Sequence, residues 1–363
     1  MSSTRPLRRT AALAAVAVVA LSACGNNADD DGGSDGGSSG GGSSASGEQP
    51  DVNGDGDVKI GVLSPGDLND NGYYESFVVK AQEFVDSQDG WELIKVGEIN
   101  PADALEQARN MCRQGVDMVA LAASELADAL PAAEEDVCAG TIWYLPSQTE
   151  GYELADNVVL SQDSASESLL AAGYALGLLM QGSGATTAGF VTGPELDFSI
   201  IAAQAFQAGV RQIVPDAEVV TTYTGDFDDS GLAVEATQAQ IGQGIGGLYP
   251  YLGGATDASA ELGFEAGIPV LTPGTDRCGD GYAISVIFDP GEYFAVALED
   301  FANGELEGGT TRLWKMGVDP LPTVQFCEDS GVTPEQEQQL ADFIASVGDG
   351  TIDPDAEVER LGS

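Results

Sequence analysis

Short apolar runs alternate with longer segments whose apolar residues recur at helical spacing, from Val58 almost to the end of the chain. The run at 58–64 predicts a buried strand, and the apolar positions of 73–87 predict a helix after it. The same alternation predicts further strands at 91–97, 118–122, 141–145, 157–160, 187–192, 218–223, 246–252, 269–272 and 282–288. It predicts further helices at 101–114, 125–139, 165–181, 198–214, 230–241, 256–266, 291–303 and 334–347. This order is typical of parallel sheets flanked by helices, so we expect an α/β protein.

The series divides into two α/β units of similar size, which predicts two lobes with a cleft between them. We expect residues 58–162 with 286–318 to form the N-terminal lobe, and residues 163–285 with 319–363 to form the C-terminal lobe. Ligands of open α/β sheets bind outside the carboxyl ends of the strands. The loops that follow the strands are therefore the candidate binding site.

The segment before the first strand has the pattern of an export signal. Three arginines among the first nine residues precede an apolar run at about 11–21, and small residues precede Cys24. This order is typical of a secretory signal peptide, and the run is shorter than the roughly 20 residues that span a bilayer. The cysteine resembles the lipidated residue of bacterial lipoproteins. We expect cleavage after residues 1–23, a lipid on Cys24 and a Gly/Ser/Asp-rich flexible tether over 24–57, with cleavage without lipidation as the alternative.

Charge and composition exclude several classes of function. The chain has 13 Lys and Arg against 59 Asp and Glu, and it has no His. So acidic a surface repels phosphate backbones, which excludes nucleic acid as a partner. Without His or a CxxC pair, neither a catalytic triad based on His nor a zinc site is predicted, and we expect no metal and no cofactor. The acidic pattern at 51–56 resembles the start of a calcium loop, but its twelfth position is Val62, so we assign it to the tether.

Four cysteines remain after Cys24, and an even number in an exported chain predicts disulfides. Four cysteines allow three pairings. Proximity in the sequence favours Cys112 with Cys138 and Cys278 with Cys327.

The loop after the first strand offers a carboxylate and two aromatic rings beside a helix start. Asp70 is a candidate ligand residue, and a helix cap is the alternative for it. Tyr73 and Tyr74 each present a flat apolar face with a polar tip, which suits a planar or ring-shaped ligand.

Three further strand ends carry candidates. Phe227 lies exposed among acids that include Asp229, a carboxylate that equally suits a helix cap. Gly253 and Gly254 allow the backbone to approach a ligand closely, although a simple turn explains them equally well. Ser124 adds a hydroxyl after the third strand.

Asp276 is the remaining candidate, since a carboxylate accepts two hydrogen bonds from vicinal hydroxyls of a sugar. A surface pair with Arg277 or a turn is the alternative.

Several short motifs in a fixed order resemble the basic membrane protein family of substrate-binding lipoproteins, which includes purine-nucleoside receptors of ABC transporters. The resemblance runs from Val58 to Gly309. It is carried by Asp70-x-Gly72-Tyr73, Glu167–Tyr174, Ala205–Val210 with Pro215-Asp216, Gly225–Asp229, Gly274–Asp276 and Asn303–Leu306 with Gly309.

The resemblance implies a type I periplasmic-binding-protein fold whose cleft binds a nucleoside. By position, it implies that Tyr73 and Phe227 stack on the two faces of a ring, and that Asp276 and Asp70 bind sugar hydroxyls or ring nitrogens. Tyr74 stands where the family usually has Asn, and Phe288 where a Lys that contacts ribose is common. We therefore expect a nucleoside or a related ring compound.

Together these features predict a lipid-anchored solute-binding protein on the extracytoplasmic face of the cell membrane, not an enzyme. We expect a monomer that closes on its ligand by hinge motion and then engages an ABC transporter permease. A sugar receptor of the same fold and a surface sensor or regulator without a transporter are the alternatives. An extracellular glycosidase that uses a pair of carboxylates is the least favoured.

Overall fold

The computed structural model describes residues 50–147 and 154–362. The predicted signal peptide, Cys24 and most of the predicted tether lie outside these residues. None of the described helices is both long and apolar enough to cross a membrane.

Strands and helices alternate as the sequence predicts. The strands are β1 (Val58–Leu63), β2 (Trp91–Val96), β3 (Met118–Leu121), β4 (Ile142–Ser147), β5 (Val158–Gln162), β6 (Thr187–Thr192), β7 (Glu218–Tyr223), β8 (Leu248–Tyr251), β9 (Leu271–Gly274), β10 (Ile284–Ile287), β11 (Thr310–Leu313) and β12 (Thr323–Phe326). The helices are α1 (Tyr73–Asp86), α2 (Ala104–Arg113), α3 (Ala165–Ser183), α4 (Asp197–Ile213), α5 (Ser230–Gly242), α6 (Thr256–Ala266), α7 (Pro290–Ala302), α8 (Pro334–Gly348) and α9 (Pro354–Leu361).

The first sheet has the order β11-β5-β4-β3-β1-β2, and every neighbouring pair is parallel. Its central strands are buried on both faces, which explains their unbroken apolar runs. Helices α1 and α7 pack together on one face, where the rings of Phe77 and Phe294 lie 5.0 Å apart. The core on the other face includes Met111 of α2 and Leu126.

The second sheet consists of β7-β6-β8 and β9-β10-β12, joined by a parallel bridge between Leu248 and Val270. Only β12 of its described strands runs antiparallel to its neighbour. Helices α3 and α4 cross beside this sheet at Gly173 and Gly209. A Cβ at either glycine would collide with a backbone carbonyl of the other helix, so the crossing requires glycine at both positions.

Both predicted disulfides are present. Cys112–Cys138 joins the end of α2 to the segment before β4. Cys278–Cys327 joins the loop after β9 to the residue that follows β12. Each bridge therefore links elements that surround the same sheet.

The structure differs from the sequence predictions in three respects: one helix, the elements that were not predicted, and the boundary between the lobes. The predicted helix at 125–139 is instead a 3₁₀ helix over Ser124–Glu134 followed by a short 3₁₀ turn, because Pro131 lies inside it and cannot donate a helical hydrogen bond. The short strands β11 and β12 and helix α9 had not been predicted. The proposed lobe boundary between residues 285 and 286 cuts β10, whose four residues all pair within the second sheet.

The folded part begins before the predicted end of the tether. The carboxylate of Asp117, a residue with no exposed surface, accepts hydrogen bonds from the backbone N–H groups of Val52 (2.8 Å), Asn53 (3.2 Å) and Lys59 (2.9 Å). Asp51 closes this turn by accepting from the backbone N–H of Gly54 at 2.7 Å. Assigning all of 24–57 to a tether was therefore wrong, since side-chain caps of this kind fix a polar turn without an apolar pattern.

Candidate ligand-binding site

A cavity of about 90 Å³ lies where the carboxyl ends of the two sheets face each other. Its lining residues come from the loops after the strands, from the strand ends themselves and from the first turns of α1, α4 and α7. This is the position that the topology of open α/β sheets predicts.

The first-sheet side of the cavity is mainly polar. Ser124 and Glu125 follow β3, and Asp163 comes directly after β5. Ser147 and Ser161 lie at the carboxyl ends of β4 and β5. Two of these five side chains are carboxylates. Hydroxyl and carboxylate oxygens therefore dominate this wall.

Two tyrosines at the start of α1 complete the first-sheet side. The rings of Tyr73 and Tyr74 meet edge to face, with centroids 5.6 Å apart. Their position is set by Asp70, whose carboxylate accepts hydrogen bonds from the backbone N–H groups of Gly72 (3.0 Å), Tyr74 (3.2 Å) and Glu75 (2.9 Å). Asp70 thus neutralises the unpaired donors of the first turn and orients both rings.

The second-sheet side is aromatic. Phe227, after β7, stacks on Phe198 of α4 with centroids 5.9 Å apart and planes 16° apart. Tyr251, at the end of β8, lies 6.2 Å from Phe288, which follows β10. Across the cavity, Phe288 lies 6.4 Å from Tyr73. The two sides thus meet through aromatic rings.

The electrostatics of the cavity are one-sided, because no Lys or Arg is found among the described residues that line it. Burial raises the pKa of the Glu125 carboxyl. Burial also raises the pKa of Tyr73, and the nearby Asp163 and Glu125 raise it further. The hydroxyl of Tyr293 lies buried at the cavity with no hydrogen-bond partner among the described residues.

Five of the nine ligand residues expected from the sequence line the cavity: Tyr73, Tyr74, Ser124, Phe227 and Gly253. The other four, Asp70, Asp229, Gly254 and Asp276, do not. The structure therefore brings together the predicted rings but not the predicted aspartates.

Each of these three aspartates accepts hydrogen bonds from nearby protein groups, Asp70 and Asp229 from the adjoining helix start and Asp276 from its own loop and from β10. Asp70 caps the start of α1 as described above. Asp229 caps α5 by accepting from the backbone N–H groups of Gly231 (2.9 Å) and Leu232 (3.0 Å). Asp276 accepts from the Ser285 hydroxyl at 2.9 Å and from the backbone N–H of Cys278 at 3.2 Å. The alternative roles that the sequence left open for Asp70 and Asp229 are thus the ones that the structure displays.

Gly254 does not line the cavity but lines the depression next to it. Its backbone N–H donates to the carboxylate of Asp228 at 2.6 Å, which fixes the loop after β8 against the loop after β7.

Sequence reasoning missed the acids and several rings of the cavity. Glu125 lies in the segment that follows β3 and Asp163 directly follows β5, so the rule that directs ligands to strand ends would have found both. Phe198, in the first turn of α4, and Tyr251, at the end of β8, carry no such signal, because an aromatic residue in a helix or strand equally predicts core packing. Phe288, which the family resemblance had placed at a ligand-contacting position, does line the cavity.

A more open depression of about 660 Å³ adjoins the cavity. Six acids line it, three from each side: Asp67, Asp70 and Glu98 from the first-sheet side, and Asp226, Asp228 and Asp257 from the second. We call these six residues the acidic rim. Its described lining includes no Lys or Arg, and the amide of Asn71 donates to the Asp257 carboxylate across it at 3.4 Å.

Comparisons with known proteins agree with this geometry. The model of the family Bmp, described as "ABC transporter substrate-binding protein PnrA-like", matches residues 57–339. A search of the curated proteins found no match to the chain.

Solved structures share the fold. An ABC transporter solute-binding protein from Aeropyrum pernix K1 has a TM-score of 0.65 at 18% identity, with 84% of this chain and 90% of that chain covered. One from Conexibacter woesei DSM 14684 has a TM-score of 0.61 at 18% identity, with 82% and 98% covered. A glucose-galactose binding protein from Geobacillus stearothermophilus has a TM-score of 0.55 at 16% identity, with 76% and 100% covered. The predicted two-lobed α/β fold is thus confirmed.

Proposed function

Because the chain belongs to the Bmp family of PnrA-like ABC transporter substrate-binding proteins, we propose that its cavity binds a nucleoside or a related ring compound. Members of this family are non-enzymatic, so the chain is the solute-binding component of an ABC transporter and not an enzyme. The observation that carries the proposal is the convergence of rings from both sides on one cavity. Aromatic side chains stack on a flat ring with little loss of conformational freedom.

In this proposal Tyr73 and Phe227 contact the two faces of the ring. Phe198, which also lines the cavity, stacks on Phe227 and supports its position. Ser124 and Gly253 offer a hydroxyl and backbone beside the ring, as both line the cavity. Asp70, Asp229, Gly254 and Asp276 act indirectly, since they hold the loops that carry these side chains.

Ligand exchange requires the two sides to move apart. The cavity of about 90 Å³ is smaller than an engineered cavity of about 150 Å³ that accepts benzene, so a nucleoside does not fit without movement. A ligand that touches both sides only in the closed form shifts the population towards closure. The closed form is then the state that a permease recognises.

We further propose that Cys24 carries a lipid and holds the protein, as a monomer, on the extracytoplasmic face of the membrane. Its test is metabolic labelling with a fatty acid, where Cys24→Ser should remove the label and release the protein into the medium. Label that persists in this variant would contradict the anchor.

The binding proposal is tested by thermal shift and calorimetry with nucleosides, free bases and sugars, since a ligand of the folded state raises the melting temperature. Tyr73→Ala and Phe227→Ala should each abolish the shift. Phe264→Ala is the matched control, because this ring lies on α6 outside the cavity. Binding retained in both cavity variants would contradict the site, and a shift by sugars alone would contradict the nucleoside class.

A further inference from the structure

We propose that the solute of this transporter component carries a positively charged nitrogen, which Glu125 and Asp163 hold from the first-sheet side. This inference rests on the proposed binding function and narrows the ligand class from ring compounds in general to organic cations.

The cavity contains two carboxylates with no basic side chain among its described lining residues. Asp163 is only 7% exposed, and Glu125 lies at the cavity wall with the Ser124 hydroxyl 3.4 Å from its Oε2. Burial of a carboxylate is costly unless a positive charge or several hydrogen-bond donors compensate for it. For Glu125, whose described side-chain partner is the Ser124 hydroxyl, a cationic ligand would supply a positive charge that no described side chain at the cavity provides. Asp163, which has a partner of its own, adds negative charge to the same wall.

The opposite wall offers the second half of a cation site. Tyr251, Phe288 and Phe227 line it, and Tyr73 and Tyr74 adjoin the acids. The negative face of an aromatic ring attracts an ammonium group, and cages of such rings recognise quaternary and methylated nitrogen. Carboxylates on one side and rings on the other thus match a cationic nitrogen attached to a flat or apolar body.

The acidic rim favours the same sign of charge. Its six carboxylates surround a depression next to the cavity, and the whole chain has a formal net charge of −46. A surface of one sign that leads to a cleft concentrates ligands of the opposite sign and repels those of the same sign. Solutes with a phosphate or carboxylate group would therefore be excluded first at the rim and again in the cavity.

The test uses sets of similar shape and different charge. One set is 1-methylnicotinamide, nicotinamide and nicotinate. A second is tyramine, tyrosol and 4-hydroxyphenylacetate, and a third is cyclohexylamine, cyclohexanol and cyclohexanecarboxylate. Thermal shift and calorimetry on the purified mature protein should find a cation that binds at least about tenfold more tightly than its neutral partner, with no binding of the anions. Equal or tighter binding of the neutral members, or no binding of any cation, would overturn the inference.

Charge-removing variants test the assigned residues. Glu125→Gln and Asp163→Asn keep the shape and should each weaken the binding of the cation about tenfold or more, without a comparable effect on a neutral member. Glu261→Gln, an exposed position on α6, is the matched control and should bind as the unmodified protein does. Unchanged cation affinity in both cavity variants would refute the assignment, and the use of two sites guards against one variant that fails to fold.

The outcomes separate this inference from the binding proposal. If nucleosides bind and Phe227→Ala abolishes that binding while neither charge variant changes it, the ring site stands and the cation inference fails. If neither cations nor nucleosides change the melting temperature, both fail.

Discussion

The two sides of the cavity are built from the same kind of element but have opposite chemistry. The first sheet contributes hydroxyls and carboxylates from the ends of β3, β4 and β5. The second contributes Phe198, Phe227, Tyr251 and Phe288. The fold therefore fixes where the ligand binds, while the residues at the strand ends divide charge recognition from ring recognition.

The acids of the second-sheet side explain part of this contrast. Asp229 and Asp276 accept hydrogen bonds from backbone N–H groups and a serine hydroxyl within their own half. Their carboxylates thus stabilise the loops and do not line the cavity, whereas the aromatic rings of the same side do. A loop rich in acids need not make a charged binding surface.

Reversing the charge of the polar side is the most severe test of the division between charge recognition and ring recognition. Glu125→Lys should reduce the affinity for an organic cation by more than about 3 kcal/mol, because two like charges would then face each other with little water. Calorimetry checks this, with Glu261→Lys on α6 as the control. A loss of less than tenfold would mean that Glu125 does not face the ligand.

A second test removes a ring from the aromatic side. Phe227→Ala should cost at least about 2 kcal/mol of binding, the value of one buried aromatic side chain, which removes the thermal shift at ligand concentrations that still shift the unmodified protein. Since the ring recognises shape, the loss should be similar for charged and neutral ligands. A loss confined to cations would mean that the ring acts mainly through cation–π attraction and that the division of roles is less strict.

Acidification should weaken the binding of a cation. Burial raises the pKa of Glu125, so this carboxylate becomes neutral at a higher pH than an ordinary glutamate does. The titratable groups around it are Tyr73, Tyr74, Tyr251 and Asp228, with Asp163 on the same wall of the cavity. Burial raises the pKa of all three tyrosines, so that they stay neutral below pH 9, and burial raises the pKa of Asp228 as well. Affinity measured by titration from pH 8 downwards should fall in the unmodified protein and vary less in Glu125→Gln.

The raised pKa of Glu125 also affects the stability of the unliganded protein, which acidification should increase although it weakens the binding of a cation. A carboxyl with a raised pKa in the folded state stabilises the protein below its unfolded pKa, and this contribution is lost as pH rises through the folded pKa. Glu125→Gln should therefore melt at a higher temperature than the unmodified protein at neutral pH. A lower melting temperature in that variant would show that the carboxylate is well compensated without ligand.

The smallest expected effect concerns the acidic rim. Raising the ionic strength from about 10 to 150 mM should lower the association rate of a cation several-fold, because salt screens the attraction. Stopped-flow fluorescence should find a weaker salt dependence in Asp67→Asn with Asp226→Asn, two rim residues outside the cavity. A dissociation rate that changes as much as the association rate would place these acids in the binding contact itself.

The sequence predicted most of the fold because buried parallel strands are continuous apolar runs and flanking helices keep one apolar face. It failed at Ser124–Glu134, where Pro131 interrupts an otherwise helical pattern, and at β11, whose exposed residues have no apolar pattern. In the site, Tyr73, Tyr74 and Phe227 were recognisable as aromatic residues in polar loops. Contacts between distant segments, such as Tyr73 with Phe288, are set by tertiary packing and leave no local pattern.

The attachment of Val52 and Asn53 to Asp117 has a mechanical consequence. Asp117 directly precedes β3, whereas Ser124 of the cavity follows that strand, so the two lie at opposite ends of it. A force applied to the chain from its N-terminal side would act on the first sheet at the amino end of β3. It would not act across the opening between the two sheets. If Cys24 is lipidated as proposed, a force on that anchor would therefore leave the opening and closing of the cavity undisturbed.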